Sequence, residues 1–202
     1  MVSAAPAIYL ASASPRRSEL LRQIDITHAV RPVDIDESPR AGENPARYAL
    51  RLAQEKARAL WEQLPVAERR PVLAADTTVA LGDEILGKPL DYADAARILG
   101  RLSGRAHEVH TAVAVLHAGG ADSRVCTSTV EFRELTRADI DWYWRTGEPA
   151  DKAGAYGVQG HAAIFIRHLA GSYSGVMGLP LYETWELLAP ALGLNGRNTQ
   201  AP

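Results

Sequence analysis

Cysteine is nearly absent from this sequence: Cys126 stands alone among 202 residues. That excludes an internal disulfide and suits a reducing compartment, with the cytoplasm as the default expectation. An excess of one charge is missing as well. Lys and Arg number 22 against 24 Asp and Glu, a net charge of -2, whereas domains that coat nucleic acid carry a clear basic surplus. Nucleic acid is therefore not an expected partner, and any anion site must be local. The opening MVSAAPAIYL has neither a basic lead nor a long apolar run, so neither a signal peptide nor a membrane span is expected. No internal repeat and no G-x-S-x-G nucleophile elbow occurs. His107 and His110 are three apart on an expected strand and point to opposite faces, which makes no paired metal site. Cys126 shares a strand face with Val130 and Phe132 and reads as a packed thiol.

What is present is the balance of a folded domain, 47% hydrophobic and 23% charged, with enough chain to bury a core. One domain is expected over residues 1–194, with a frayed tail over 195–202. AIYLASA reads as a buried strand entering a turn, with Ser14 as N-cap and Pro15 in the first helical position beyond it. Asn44 and Pro45 repeat that signature before a longer helix with apolar positions Ala49, Leu52, Ala53, Ala57 and Leu60. Val72–Ala75 is a continuous apolar strand, and Asp76, Thr77 and Thr78 follow at its expected carboxyl end, where open α/β sheets bind ligands. LGDEILGKPL resembles a hairpin, and DYADAARILGRLSG a helix stopped by Gly104. HEVHTAVAVLH and RVCTSTVEFREL suggest an antiparallel pair, and Thr136 with Asp139 a capped helix. AAIFIRHL is expected as a strand and LPLYETWELLAPAL as a closing helix. Alternating elements followed by a hairpin predict an α/β fold, a mixed twisted sheet flanked by helices.

Several side chains stand out from that scaffold. In SASPRR a helix start already offers free N–H groups, and Ser12, Ser14, Arg16 and Arg17 add donors suited to phosphate oxygens. A capped surface helix with two solvated arginines is the alternative. Lys56 falls on the buried stripe of the second helix, as a cleft lysine, an ion-pair partner or a snorkelling side chain. Asp34, Asp36 and Glu37 follow a strand, either as a solvated acidic loop or, with Asp76, as oxygen ligands for Mg²⁺ or Mn²⁺. GDEILGKP has the glycine and lysine spacing of a P-loop, but Pro89 replaces its hydroxyl and donates no N–H, so that motif is set aside. Together these residues are the pattern of a site for a metal-bound polyphosphate.

LASASPRRSELL, AADTTVALGDEILGKPLDYADAARIL, LSGRAHEVHTAVAV and GEPADKAGAYGVQGHAAIFIRHLAGSYSGVMGLPLYETWELL occur in this order, from about Leu10 to Leu188. They resemble the Maf-like nucleoside triphosphate pyrophosphatases. The resemblance implies a Maf/ITPase-like α/β fold with a deep cleft, often a homodimer. It implies hydrolysis of a nucleoside triphosphate at the α–β bond, with Mg²⁺ or Mn²⁺. Asp76 matches the family's proposed catalytic base, and Ser12, Arg17, Glu37, Lys56 and Lys88 match its phosphate and metal side, Glu37 joining Asp76 at the metal. Arg16, Thr77 and Gln159 match positions linked to substrate choice, and DKAGAYGVQG resembles the branch acting on dTTP and UTP. Gly175 stands where the family carries a bulkier residue. A phosphatase or nucleotidyltransferase using the same cleft, or a non-catalytic nucleotide-binding regulator of cell division, are the competing readings.

Overall fold

Strand β1 (Ile8–Leu10) runs into helix α1 (Pro15–Gln23) and then into strand β2 (His28–Val30), parallel to β1. This is a computed structural model, and it describes residues 5–194; the expected frayed tail lies outside the described residues. Helix α2 (Pro45–Gln63) returns the chain to β3 (Val72–Leu81), which is parallel to β1 on its other edge. Asn44 starts α2 as the sequence predicts, its Oδ1 accepting from the N–H groups of Ala46 and Arg47. Ser14 precedes α1 but makes no side-chain cap; its own N–H donates to Ser12 Oγ at 3.2 Å.

Beyond β3 the sheet becomes antiparallel. Strand β4 (Glu84–Leu86) folds back on the end of β3 through Gly82, whose φ of +63° suits glycine. Helix α3 (Tyr92–Leu102) leads to the long hairpin of β5 (Ala106–His117) and β6 (Gly120–Phe132). Helix α4 (Arg137–Arg145) opens on a reciprocal Thr136–Asp139 capping box. Then come short 3-10 turns, edge strand β7 (Ile166–Ala170), α5 (Tyr173–Met177) and α6 (Leu181–Ala191). The strand order is β2-β1-β3-β5-β6-β7, with β4 beside the far end of β3. No described helix is long and apolar enough to cross a membrane.

Alanines let α2 lie close to one face of the sheet: Ala49, Ala53 and Ala57 meet Ala74, Ala112 and Ala114. On the other face α1 and α6 cover Leu10, Leu73 and Val113, while α3 and α4 enclose Phe132, Tyr143 and Phe165. Two expectations are corrected here. Asp76 does not end a strand, because β3 continues to Leu81. The stretch from Ala162 to Leu169 is not one strand: His161–Phe165 coils as a 3-10 turn so that Phe165 packs edge-on against Tyr143. Helix α5, only five residues long, went unpredicted.

His107 is sealed in this core, its Nε2 2.8 Å from Tyr156 Oη and its ring edge-on to Phe132. Burial pulls its pKa down to about 4, against a backbone contact at Arg105 that favours the cation. The folded protein thus prefers neutral His107, a preference fully present above the unfolded pKa of about 6.5 and lost as pH falls through the folded value. Urea titrations should therefore show wild-type stability falling between about pH 6.5 and 4 by roughly 3 kcal/mol more than that of His107→Phe. Parallel curves would show that the ring is not held neutral.

Candidate active site

The site begins as a gap in the sheet. β1 pairs with β3 only at Tyr9–Val72 and Leu10–Leu73, and β4 joins the same strand only from Val79 onward. Among the described residues, no strand covers that edge of β3 between Ala74 and Thr78. The segment lies beyond the carboxyl end of β1, so the ligand-binding end of the sheet is the one expected, although it is the neighbour of Asp76 that terminates. A cavity of about 800 Å³ opens there. Ser12, Ser14, Arg16, Arg17, Glu37, Lys56, Asp76, Thr77, Lys88 and Gln159 all line it.

Strand alternation divides this wall in two. On the α2 face, Lys56 Nζ lies 2.8 Å from Asp76 Oδ1 and 2.5 Å from Glu37 Oε1. Lys56 and Asp76 side chains are 12% and 11% exposed, and Glu37 is 53% exposed at the cavity mouth. The lysine on the apolar stripe is thus an ion-pair partner inside a cleft, which unites two of its readings. The loop carrying Glu37 is latched to α2. Tyr48 Oη donates to Glu37 O at 2.8 Å, and Arg51 Nη2 to Ser38 O at 3.1 Å. Arg51 also grips Glu43 through two 2.7 Å bonds and holds that carboxyl down at about 2. Burial, then the charges of Asp76 and Glu37, push the Tyr48 phenol up to about 12, so it remains a donor.

The other face belongs to Arg17. Its Nε donates to Gly178 O at 2.8 Å, Nη1 to Ser12 Oγ at 2.9 Å and Nη2 to Thr77 Oγ1 at 3.2 Å. One guanidinium therefore ties the start of α1, strand β3 and the end of α5 together. Burial lowers its pKa, with Asp76 pulling the other way, yet an arginine stays cationic in proteins. Thr77 Oγ1 also lies 3.1 Å from Thr111 Oγ1, so its hydroxyl is engaged within the cavity wall. Gly175 is packed beneath: an added Cβ would come within 3.1 Å of Ser172 Cβ and 3.4 Å of Cys126 Sγ. β4 occupies the middle of GDEILGKP, so that stretch forms no phosphate cradle; Lys88 reaches the cavity from the turn after it.

The two carboxylates meet at the Lys56 ammonium, and oxygen donors of that kind also suit a hard cation. Mg²⁺ and Mn²⁺ take one or two carboxylates and complete their shell with water and phosphate oxygens. Glu37 and Asp76 fit that donor set. Among the described residues no cluster of three or more His, Cys, Asp or Glu could hold a metal without such help.

Sequence reading missed several lining residues: Tyr48, Glu148, Lys152 and Gly178. Tyr48 had a signal, standing about two turns before Lys56 on one helix. Glu148 and Gly178 had none, because only long-range packing brings them in.

The sequence profile described as "Maf-like protein" matches residues 7–191. The chain belongs to the Maf-like protein family. Among its Maf-like relatives, a protein of Bordetella parapertussis named dTTP/UTP pyrophosphatase is 52% identical over 195 residues, covering 92% of this chain and 93% of that one. Proteins of the same name from Pseudoalteromonas atlantica and Methylobacillus flagellatus are 48% and 51% identical. Each covers 90% of this Maf-like chain, and the matches span 95% and 90% of those two proteins.

Proposed function

We propose that this Maf-like chain is a nucleoside triphosphate pyrophosphatase that cleaves the α–β anhydride of dTTP and UTP to monophosphate and pyrophosphate, with Mg²⁺ or Mn²⁺ as cofactor. One observation carries the reading: the Asp76 carboxylate, fixed 2.8 Å from Lys56 Nζ, faces a cavity that also gathers Arg16, Arg17 and Lys88 on a chain of net charge -2. Local cations on a near-neutral chain suit a polyanion, and the names of relatives at about half identity point to the same chemistry.

Each residue then has a task. The start of α1, with Ser14, offers N–H and O–H donors to phosphate oxygens. Lys88 and Lys56 balance charge on the triphosphate, where preorganised cations stabilise the developing charge of the transition state. Arg17 shapes the wall and adds its field. Asp76 accepts the proton of the attacking water as general base. A cation held by Glu37 and Asp76 would neutralise phosphate oxygens and polarise the phosphorus under attack. At the base, Arg16 offers donors only and so prefers a carbonyl edge, while the Gln159 amide supplies a donor and an acceptor to the O4 and N3–H of uracil or thymine.

A panel of dTTP, UTP, CTP and GTP with Mg²⁺ or Mn²⁺ tests the substrate reading. Higher kcat/KM for UTP and dTTP is expected; equal rates on all four would overturn it.

A further inference from the structure

Glu148 is an acid in a cavity fit for an anion. Its side chain is 16% exposed and lines the cleft. Its partners are not the cations of the phosphate side. The Glu148 carboxylate accepts from the His161 N–H at 2.8 Å, contacts His161 Nδ1 at 3.0 Å, and accepts from Tyr143 Oη at 2.7 Å. Tyr143 Oη in turn accepts from the Gly157 N–H at 3.1 Å. Residues 157 and 161 bracket the turn that carries Gln159, and both ends are therefore tied to one carboxylate. Within the turn, the Gly160 N–H donates to Gly157 O at 3.2 Å.

The fit leaves no slack. An added Cβ at Gly160 would fall 2.1 Å from Glu148 Oε2, and one at Gly157 would sit 3.4 Å from Oε1. Burial pushes the Glu148 carboxyl up, but the donors from His161 and Tyr143 outweigh it and hold the group below its usual range. Tyr143 is fully buried, and burial pushes its phenol far up, so it stays protonated as the bridge. Helix α4 carries Tyr143, and its capping box anchors that helix. Gln159 itself is exposed and faces the cavity from the middle of the clamped turn.

We propose that Glu148 and Tyr143 are positioning residues that set nucleotide choice by clamping the Gly157–Gly160 turn, so that Gln159 meets the base in one place. This rests on the reading that Gln159 contacts the base. A loop free to move would fit several base edges; a fixed one rejects those that leave its polar groups unpaired.

Glu148→Gln and Tyr143→Phe, both close to isosteric, test it beside Gln159→Ala on UTP, dTTP and CTP, with thermal midpoints recorded. Each clamp variant should narrow the UTP-over-CTP ratio of kcat/KM by about tenfold or more, the loss falling on KM more than on kcat. Tyr143→Phe combined with Gln159→Ala should be no less selective than Gln159→Ala alone. If Gln159→Ala abolishes the preference while Glu148→Gln and Tyr143→Phe keep it, the clamp is wrong. It is equally wrong if the clamp variants slow all nucleotides by the same factor, since that is the mark of a merely structural role. If Gln159→Ala keeps the preference, the base contact fails and the clamp with it. A wild-type protein with no UTP preference would instead remove the substrate reading.

Discussion

Asp76→Asn should lower kcat on UTP by about 10²–10⁴-fold, the usual worth of a positioned general base, or roughly 3–5 kcal/mol. Asn keeps the shape and still accepts a hydrogen bond from Lys56, but it is no base for the water proton. The fold should survive, because Glu37 remains 2.5 Å from Lys56 Nζ and the ammonium is not left alone. A thermal midpoint within a few degrees of wild type, measured beside kcat, separates lost chemistry from lost structure. Turnover within tenfold of wild type would remove Asp76 from the role of base.

Arg17→Ala should cost on the order of 2–4 kcal/mol in kcat/KM, comparable to a lost oxyanion donor. Arg17→Lys should be almost as damaging, which distinguishes the wall-building role from simple charge. The guanidinium donates in three directions, to Ser12, Thr77 and Gly178, and an ammonium on a flexible stem does not reproduce that planar fork. Leaving those acceptors unpaired should also lower folding stability by about 1–3 kcal/mol, read from the urea midpoint. If Arg17→Lys keeps most of the wild-type kcat/KM, charge alone matters and the three-way tie does not.

These two residues also mark what the sequence makes legible. Asp76 stands out because an acid closes an apolar run at the expected ligand-binding end of a strand, and Lys56 because a lysine interrupts an apolar helix stripe; each is a local breach of pattern. Their ion pair joins the two breaches. Arg17 was legible as a cation at a helix start but not as a tie, since Gly178 lies far along the chain and contributes only a backbone carbonyl. Sheet order follows similar limits. The parallel start and the β5–β6 hairpin are visible in hydrophobic pattern and turn residues. The gap beside Asp76 is not, because it depends on β1 stopping at Leu10 while β3 runs to Leu81. Ile164 and Phe165 look like strand residues, yet burial of Phe165 against Tyr143 favours a coil there. Glu148 has no local signature at all: it reads as one more acid in a charged loop until His161 and Tyr143 close around it.

Everything proposed for this cleft depends on cleavage between the α and β phosphates. ³¹P NMR of purified protein turning over UTP with Mg²⁺ or Mn²⁺ reads that bond directly. One pyrophosphate should appear for each UMP, with no UDP and no inorganic phosphate. UDP with inorganic phosphate, or a nucleotide bound but not turned over, would contradict α–β cleavage.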